Sequence, residues 1–122
     1  MVGTRDYNTV TKSLSITATA GGASANVLYT CPNNFDAEID FLHITNGGAS
    51  TDTVYVQWYH AEETTYHTIV NAKQIAGNNV YDIIQGGNVF YMHSGDKIVV
   101  YNGGGTLGVA LSGKEFYNPN RT

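Results

Sequence analysis

Four histidines, His43, His60, His67 and His93, are the side chains best suited to metal or proton chemistry, because neutral imidazole is the commonest metal ligand and titrates near neutral pH. Only one pair is spaced to converge. His60 and His67 flank a predicted hairpin turn around Glu62-Glu63-Thr64-Thr65, which lets His60, Glu62 and His67 meet across it. A solvated turn explains the same residues, and the expectation is that the chain binds no metal and no cofactor. Cys31, the only cysteine, could serve as a nucleophile only beside a base and a positive charge, and the neighbouring residues supply neither. It reads instead as a packed thiol at a strand end. A single cysteine also excludes an intrachain disulfide and any zinc site built from cysteines of this chain alone.

Paired carboxylates occur at Glu38 and Asp40, which project from one face of a predicted strand roughly 7 Å apart along it. Alternation with Ile39 and Phe41 makes them the wet side of an ordinary strand. Ser, His and Asp are all present, but no Gly-x-Ser-x-Gly elbow places a serine for attack. The glycine clusters Gly86-Gly87 and Gly103-Gly104-Gly105 lack the strand-then-helix setting and the Lys-Ser/Thr ending of a phosphate loop, and are predicted to be hairpin loops. No enzyme signature emerges, and the chain is expected not to be an enzyme.

Tyrosine offers a different kind of chemistry. Tyr55 and Tyr59 fall on the polar side of the clearest strand, and Tyr66, Tyr91 and Tyr101 lie in others. Tyr couples apolar area to a polar tip, which suits contact with another subunit or stacking on a sugar ring. Tyr also favours strands for its own sake, which explains part of the set.

The elements that position these residues are short strands. Leu14, Ile16 and Ala18 alternate with polar neighbours from Ser13 onward, a period of two that Gly21-Gly22 ends. Ala25 to Cys31 stops at Pro32, which cannot donate to a ladder. Ala37 to Phe41 alternates, but Leu42 and Ile44 fall on the opposite parity, so either a bulge near Phe41-Leu42 restores one inward face or the strand is buried on both sides. After Asn46-Gly47-Gly48, Val54, Val56 and Trp58 face one way and Tyr55, Gln57 and Tyr59 the other. Shorter apolar segments follow at Tyr66 to Val70, Val80 to Ile84, Val89 to Met92, Lys97 to Tyr101 and Leu107 to Leu111, each bounded by Gly, Asn or Ser. About eight to ten strands at this spacing, with no helical period, predict an all-β chain.

Composition agrees. The chain has 122 residues, the size of one domain, with 14 glycines that disfavour helix. Charged residues make up only 13%, about half the ~25% usual in soluble proteins. A net charge of −4 with scattered Lys and Arg argues against nucleic acid. No apolar run approaches the ~20 residues of a membrane span, and the N-terminus lacks a signal-like block, so a soluble, unprocessed protein is expected. Low charge suits a subunit that covers much of its surface with neighbours. The expected organisation is an extended N-terminal arm over 1–12, an antiparallel two-sheet β-sandwich over 13–117 and a tail over 118–122. A jelly roll is preferred to an immunoglobulin-like sandwich, because Trp58 is not flanked by two cysteines. The two ends are placed to add a strand to a neighbour's sheet.

The stretch Tyr29-Thr30-Cys31-Pro32, followed by Ala37-Glu38-Ile39-Asp40-Phe41-Leu42-His43-Ile44-Thr45-Asn46, resembles a family of small tailed-bacteriophage virion proteins. The strand Thr53-Val54-Tyr55-Val56-Gln57-Trp58-Tyr59, the Gly95-Asp96 turn and the closing Glu115-Phe116-Tyr117-Asn118-Pro119-Asn120-Arg121 are similar to marine phage versions. Asn33-Asn34 stands where Ala-Gly is usual, and Ile75-Ala76-Gly77 lacks a proline often found at the second turn. The resemblance implies a head decoration or cement protein on the outer capsid surface, a homotrimer partnered by the major capsid protein. The alternative it leaves is a tail or fibre component that binds a receptor or a host-surface glycan. Tyr55, Tyr59, Tyr66, Tyr91 and Tyr101 are the expected partner interface; neither nucleic acid nor membrane is an expected partner.

Overall fold

The first strand, β1 (Asn8–Thr17), begins earlier and ends sooner than the alternation through Ala18 predicts. The computed structural model describes residues 7–119, so residues 1–6 of the expected arm and 120–122 of the expected tail lie outside the described part. Asn8 to Lys12, expected in the arm, pair with Glu115 to Leu111 of the last strand. Val10 alone is buried in that stretch, and one apolar contact among polar residues leaves no period to read. At the other end, the Asn118 amide donates to the Asn34 carbonyl at 2.7 Å, and its side chain donates to Asp36 at 2.9 Å.

Among the described residues, eight further strands follow: β2 (Asn26–Thr30), β3 (Phe35–Asn46), β4 (Asp52–His60), β5 (Thr65–Ile75), β6 (Asn79–Ile84), β7 (Phe90–Met92), β8 (Lys97–Asn102) and β9 (Thr106–Tyr117). They form two antiparallel sheets packed as a β-sandwich. One sheet runs β1-β9-β3-β6, with β7 continuing the β3 edge beside β6, and the other runs β2-β8-β4-β5. Every connection except β4–β5 and β6–β7 passes from one sheet to the other. Gly103-Gly104-Gly105 is therefore a crossover, and Gly86-Gly87 joins two strands that both pair with β3, so neither is the expected hairpin loop. Glycine at the crossover lets the Gly104 amide approach the Asp52 carboxylate to 2.9 Å.

The core lies between the sheets. Ile39, Leu42, Ile44, Leu107 and Leu111 from one side meet Val54, Val56, Ile98 and Val100 from the other, all essentially inaccessible to water. The parity change in β3 is resolved by a bulge: Ile39 pairs with Gly113 and Phe41 with Ser112, leaving Asp40 as the extra residue. Asp40 and Phe41 then both face outward, and Leu42 and Ile44 return to the core. Strand β5 carries two extra residues relative to β4, between Val70 and Lys73 and between Thr68 and Val70. Ala72 in the first interval has φ +55°, outside the ordinary strand region. These bulges erase the alternation beyond Val70, which is why the sequence pattern stops there while the strand runs on to Ile75.

Candidate functional site

Four of the five expected interface tyrosines share the outer face of the β2-β8-β4-β5 sheet. Tyr55 and Tyr101 are cross-strand partners whose rings stack with centroids 4.5 Å apart and planes 4° from parallel. Tyr59 pairs with Tyr66 at 4.7 Å, and Lys97 lies over the Tyr59 ring at 5.3 Å. Such pairs each stabilise a sheet by a few tenths to about 1 kcal/mol. The stack occupies one face of each ring, and Gly21 packs so closely on Tyr101 that a Cβ there would sit 2.5 Å from Cζ. Between the two pairs, the Gly22 amide donates to Gln57 Oε1 at 3.1 Å, so the chain around the 3-10 turn Gly22–Ser24 crosses this face. Tyr91 is not part of the group. It projects from β7 in the opposite sheet and is 63% exposed, the most open ring of the five.

The β4–β5 hairpin brings two histidines and a glutamate together, though not the glutamate expected. His60 closes β4, His67 sits opposite Trp58 on β5, and a turn with Thr64 at φ +51° joins them. Glu63 Oε1 lies 3.0 Å from His60 Nδ1 and 3.0 Å from His67 Nε2. Glu62 is instead an outer neighbour, 3.8 Å from His60 Nε2 and largely exposed. Contact with the Glu63 carboxylate raises His60 above the usual histidine range. Contact with His60, and then His67, holds Glu63 below the usual carboxylate range. The Trp58 ring walls the cluster, with centroids 4.8 Å from His60 and 5.1 Å from His67, and Phe90 meets the Trp58 ring edge-on at 5.5 Å.

Trp58 is itself fixed by a buried carboxylate. Asp96, 1% exposed, accepts from Trp58 Nε1 at 3.1 Å, the Ala61 amide at 2.9 Å and the His93 amide at 3.1 Å. At the opposite end of β4, buried Asp52 accepts from the Thr53 and Gly104 amides and from Asn102 Nδ2. Neither carboxylate lies within ion-pair distance of a Lys, Arg or His among the described residues. Three donors each replace the lost hydration, and both groups pin loops onto the β-sandwich.

The remaining candidates separate. Cys31 is 1% exposed and its thiol donates to the Phe35 carbonyl. Burial pushes that thiol up to about 12, and burial with a 2.5 Å bond to Glu115 raises the Tyr29 phenol too. The bulge breaks the register between Glu38 and Asp40, and Asp40 accepts from Ser112 Oγ and lies 3.8 Å from Lys114. His93 meets Asp36 at 3.2 Å. On the outer face of the other sheet, Asp82, His43 and Thr45 form a chain with contacts of 2.6 and 3.1 Å, on open pleated surface with both flanks of β3 paired. Sequence reading missed Glu63, Asp82 and Asp96, because each depends on a cross-strand register or a loop fold that no local pattern records. The signal closest to hand was the Gly95-Asp96 turn. No protein-family model matches this chain, and no curated protein matches it.

Proposed function

We propose that the chain is a structural protein of a phage virion, a head decoration or cement protein that binds the outer capsid surface and stabilises it as a trimer. The observation that carries this reading is the tyrosine-bearing outer face of β2-β8-β4-β5, where Tyr55, Tyr59, Tyr66 and Tyr101 replace the charge an isolated surface carries. The strand order supports a jelly roll: each sheet alternates early and late strands, β1-β9-β3-β6 facing β2-β8-β4-β5, as two interleaved Greek keys require. The resemblance of Tyr29 to Arg121 to phage virion proteins points the same way. Function in this reading is mechanical. A specific interface buries roughly 1,200–2,000 Å², and repetition over symmetry-related sites multiplies a modest contribution from each. Its partners are the major capsid protein and copies of itself, with no catalytic step, cofactor, nucleic acid or membrane.

Light scattering on the purified chain is expected to give three times 13.2 kDa, and quantified gels of purified particles are expected to show hundreds of copies. A monomer that is absent from particles would overturn the reading. A handful of copies would move the protein to a tail or fibre, where the open Tyr91 ring offers the stacking platform that a host-surface glycan needs.

A further inference from the structure

The turn at one end of β4 and β5 holds a constellation that assembly does not require. His60, Glu63 and His67 each present a ligating atom, and all three atoms lie within 4.8 Å of one another. Bonds of 2.0–2.1 Å at tetrahedral angles place neighbouring zinc ligands about 3.3 Å apart. The two contacts to Glu63 Oε1, at 3.0 Å each, are already close to that separation. Only the gap between the two histidines has to close, by a small shift of His67, the more exposed of the two.

Three further features favour a cation over a plain ion pair. The Trp58 ring packs on both imidazoles and limits their rotation, and Trp58 is locked by Asp96, so two of the three donors are held before any ligand arrives. His60 Nδ1 is buried and its 3.0 Å approach to Glu63 lacks hydrogen-bond alignment, leaving that nitrogen without a directed partner. Glu62, on the far side of the His60 ring, lies where an outer carboxylate orients a metal-bound imidazole. With His67 45% and Glu63 57% exposed, the remaining coordination positions open to water.

We propose that His60, Glu63 and His67 form a binding site for a single divalent transition-metal ion of the zinc class. Two imidazoles and one carboxylate suit zinc, copper and nickel, and a set with only one carboxylate is poorly matched to magnesium or calcium. The site is independent of the assembly reading and stands whether or not the chain is a virion protein.

Trp58 is the only tryptophan and its ring packs on both histidines, so its emission reports on the surroundings of this site. Full-length protein stripped with a chelator is titrated with Zn²⁺ by calorimetry and with Cu²⁺ by Trp58 fluorescence, alongside the variants Glu63→Gln, His67→Gln and His93→Gln. Circular dichroism and thermal melts establish that each variant is folded. The expected result is one Zn²⁺ per chain, saturable quenching by Cu²⁺, affinity at least tenfold weaker in Glu63→Gln and His67→Gln, and no change in His93→Gln. Magnesium at the same concentration is expected to produce no heat and no spectral change. Failure to bind Zn²⁺, retention of affinity in both site variants, an equal loss in His93→Gln, or equal binding of Mg²⁺ would each overturn the proposal. If either site variant fails to fold, His67→Asn and Glu63→Asp replace them with the same criteria.

Discussion

Removing the Asp96 carboxylate tests whether a buried, unpaired charge holds this end of the β-sandwich. Asp96 accepts three hydrogen bonds, two at Oδ2 from Trp58 Nε1 and the His93 amide and one at Oδ1 from the Ala61 amide. A hydrogen bond to a charged group contributes about 1.5–3 kcal/mol, and a buried donor left unpaired costs the rest of its desolvation. Asp96→Ala orphans all three donors, but the turn lies close to solvent and water recovers part of the loss. The expected destabilisation is about 4 kcal/mol. Asp96→Asn keeps the shape, and its single carbonyl oxygen can still serve Trp58 and His93, while its amide faces the Ala61 N–H. One bond is lost and the expected cost is about 2 kcal/mol. For a domain of this size each kcal/mol shifts Tm by roughly 3–6 °C, so thermal melts by circular dichroism should separate native, Asn and Ala proteins in that order. Trp58 emission should shift red in the Ala variant before global unfolding. Both variants melting within about 2 °C of the native protein would refute the reasoning, because it would mean that the three donors find water as readily as they find Asp96.

Other outcomes follow from particular contacts. A Cβ on Gly113 would overlap the Glu38 carbonyl oxygen and lie 3.0 Å from Ile39 Cα, whereas one on Gly108 meets nothing within 4 Å. Gly113→Ala should therefore cost about 2–3 kcal/mol in denaturant unfolding, and Gly108→Ala less than about 0.5 kcal/mol. Cys31 should label slowly with a thiol reagent at pH 8 in the native state and rapidly in denaturant. Since the folded thiol titrates at about 12 against 9.0 when free, stability should hold below pH 9 and decline as pH rises toward 12, with Tyr29 acting in the same direction. Chemical unfolding at pH 7, 9 and 11 measures that slope, and a flat profile would contradict the burial of both groups. Replacing Tyr55 and Tyr101 together by Ser should weaken self-association in light scattering far more than it lowers Tm.

Strand positions were legible wherever one face is buried against a neighbour in plain alternation. In β4, Val54, Val56 and Trp58 announce the inner side and Tyr55, Gln57 and Tyr59 the outer, and the structure places them so. The bulge in β3 was readable as well, because Leu42 and Ile44 break parity with Ile39 and must still reach the core. What stayed hidden was whatever a single contact or a partner's register decides. The pairing of Asn8 to Lys12 rests on Val10 alone, and β5 beyond Val70 is disguised by its two extra residues. The candidate site shows the same division. That the hairpin would draw His60 and His67 together was visible, but choosing Glu63 over Glu62 depended on the Thr64 turn geometry, which adjacent acidic residues cannot express.

The order of the strands also governs how the molecule can come into being. β9 lies between β1 and β3, and β8 lies between β2 and β4, so the first strands synthesised wait for the last ones before either sheet can close. Among the described residues, only the β4–β5 hairpin pairs strands that are neighbours in sequence. Folding should therefore be slow and all-or-none, nucleated by distant segments, and a nascent chain short of β9 should keep its sticky ribbon edges bare and depend on holdase protection.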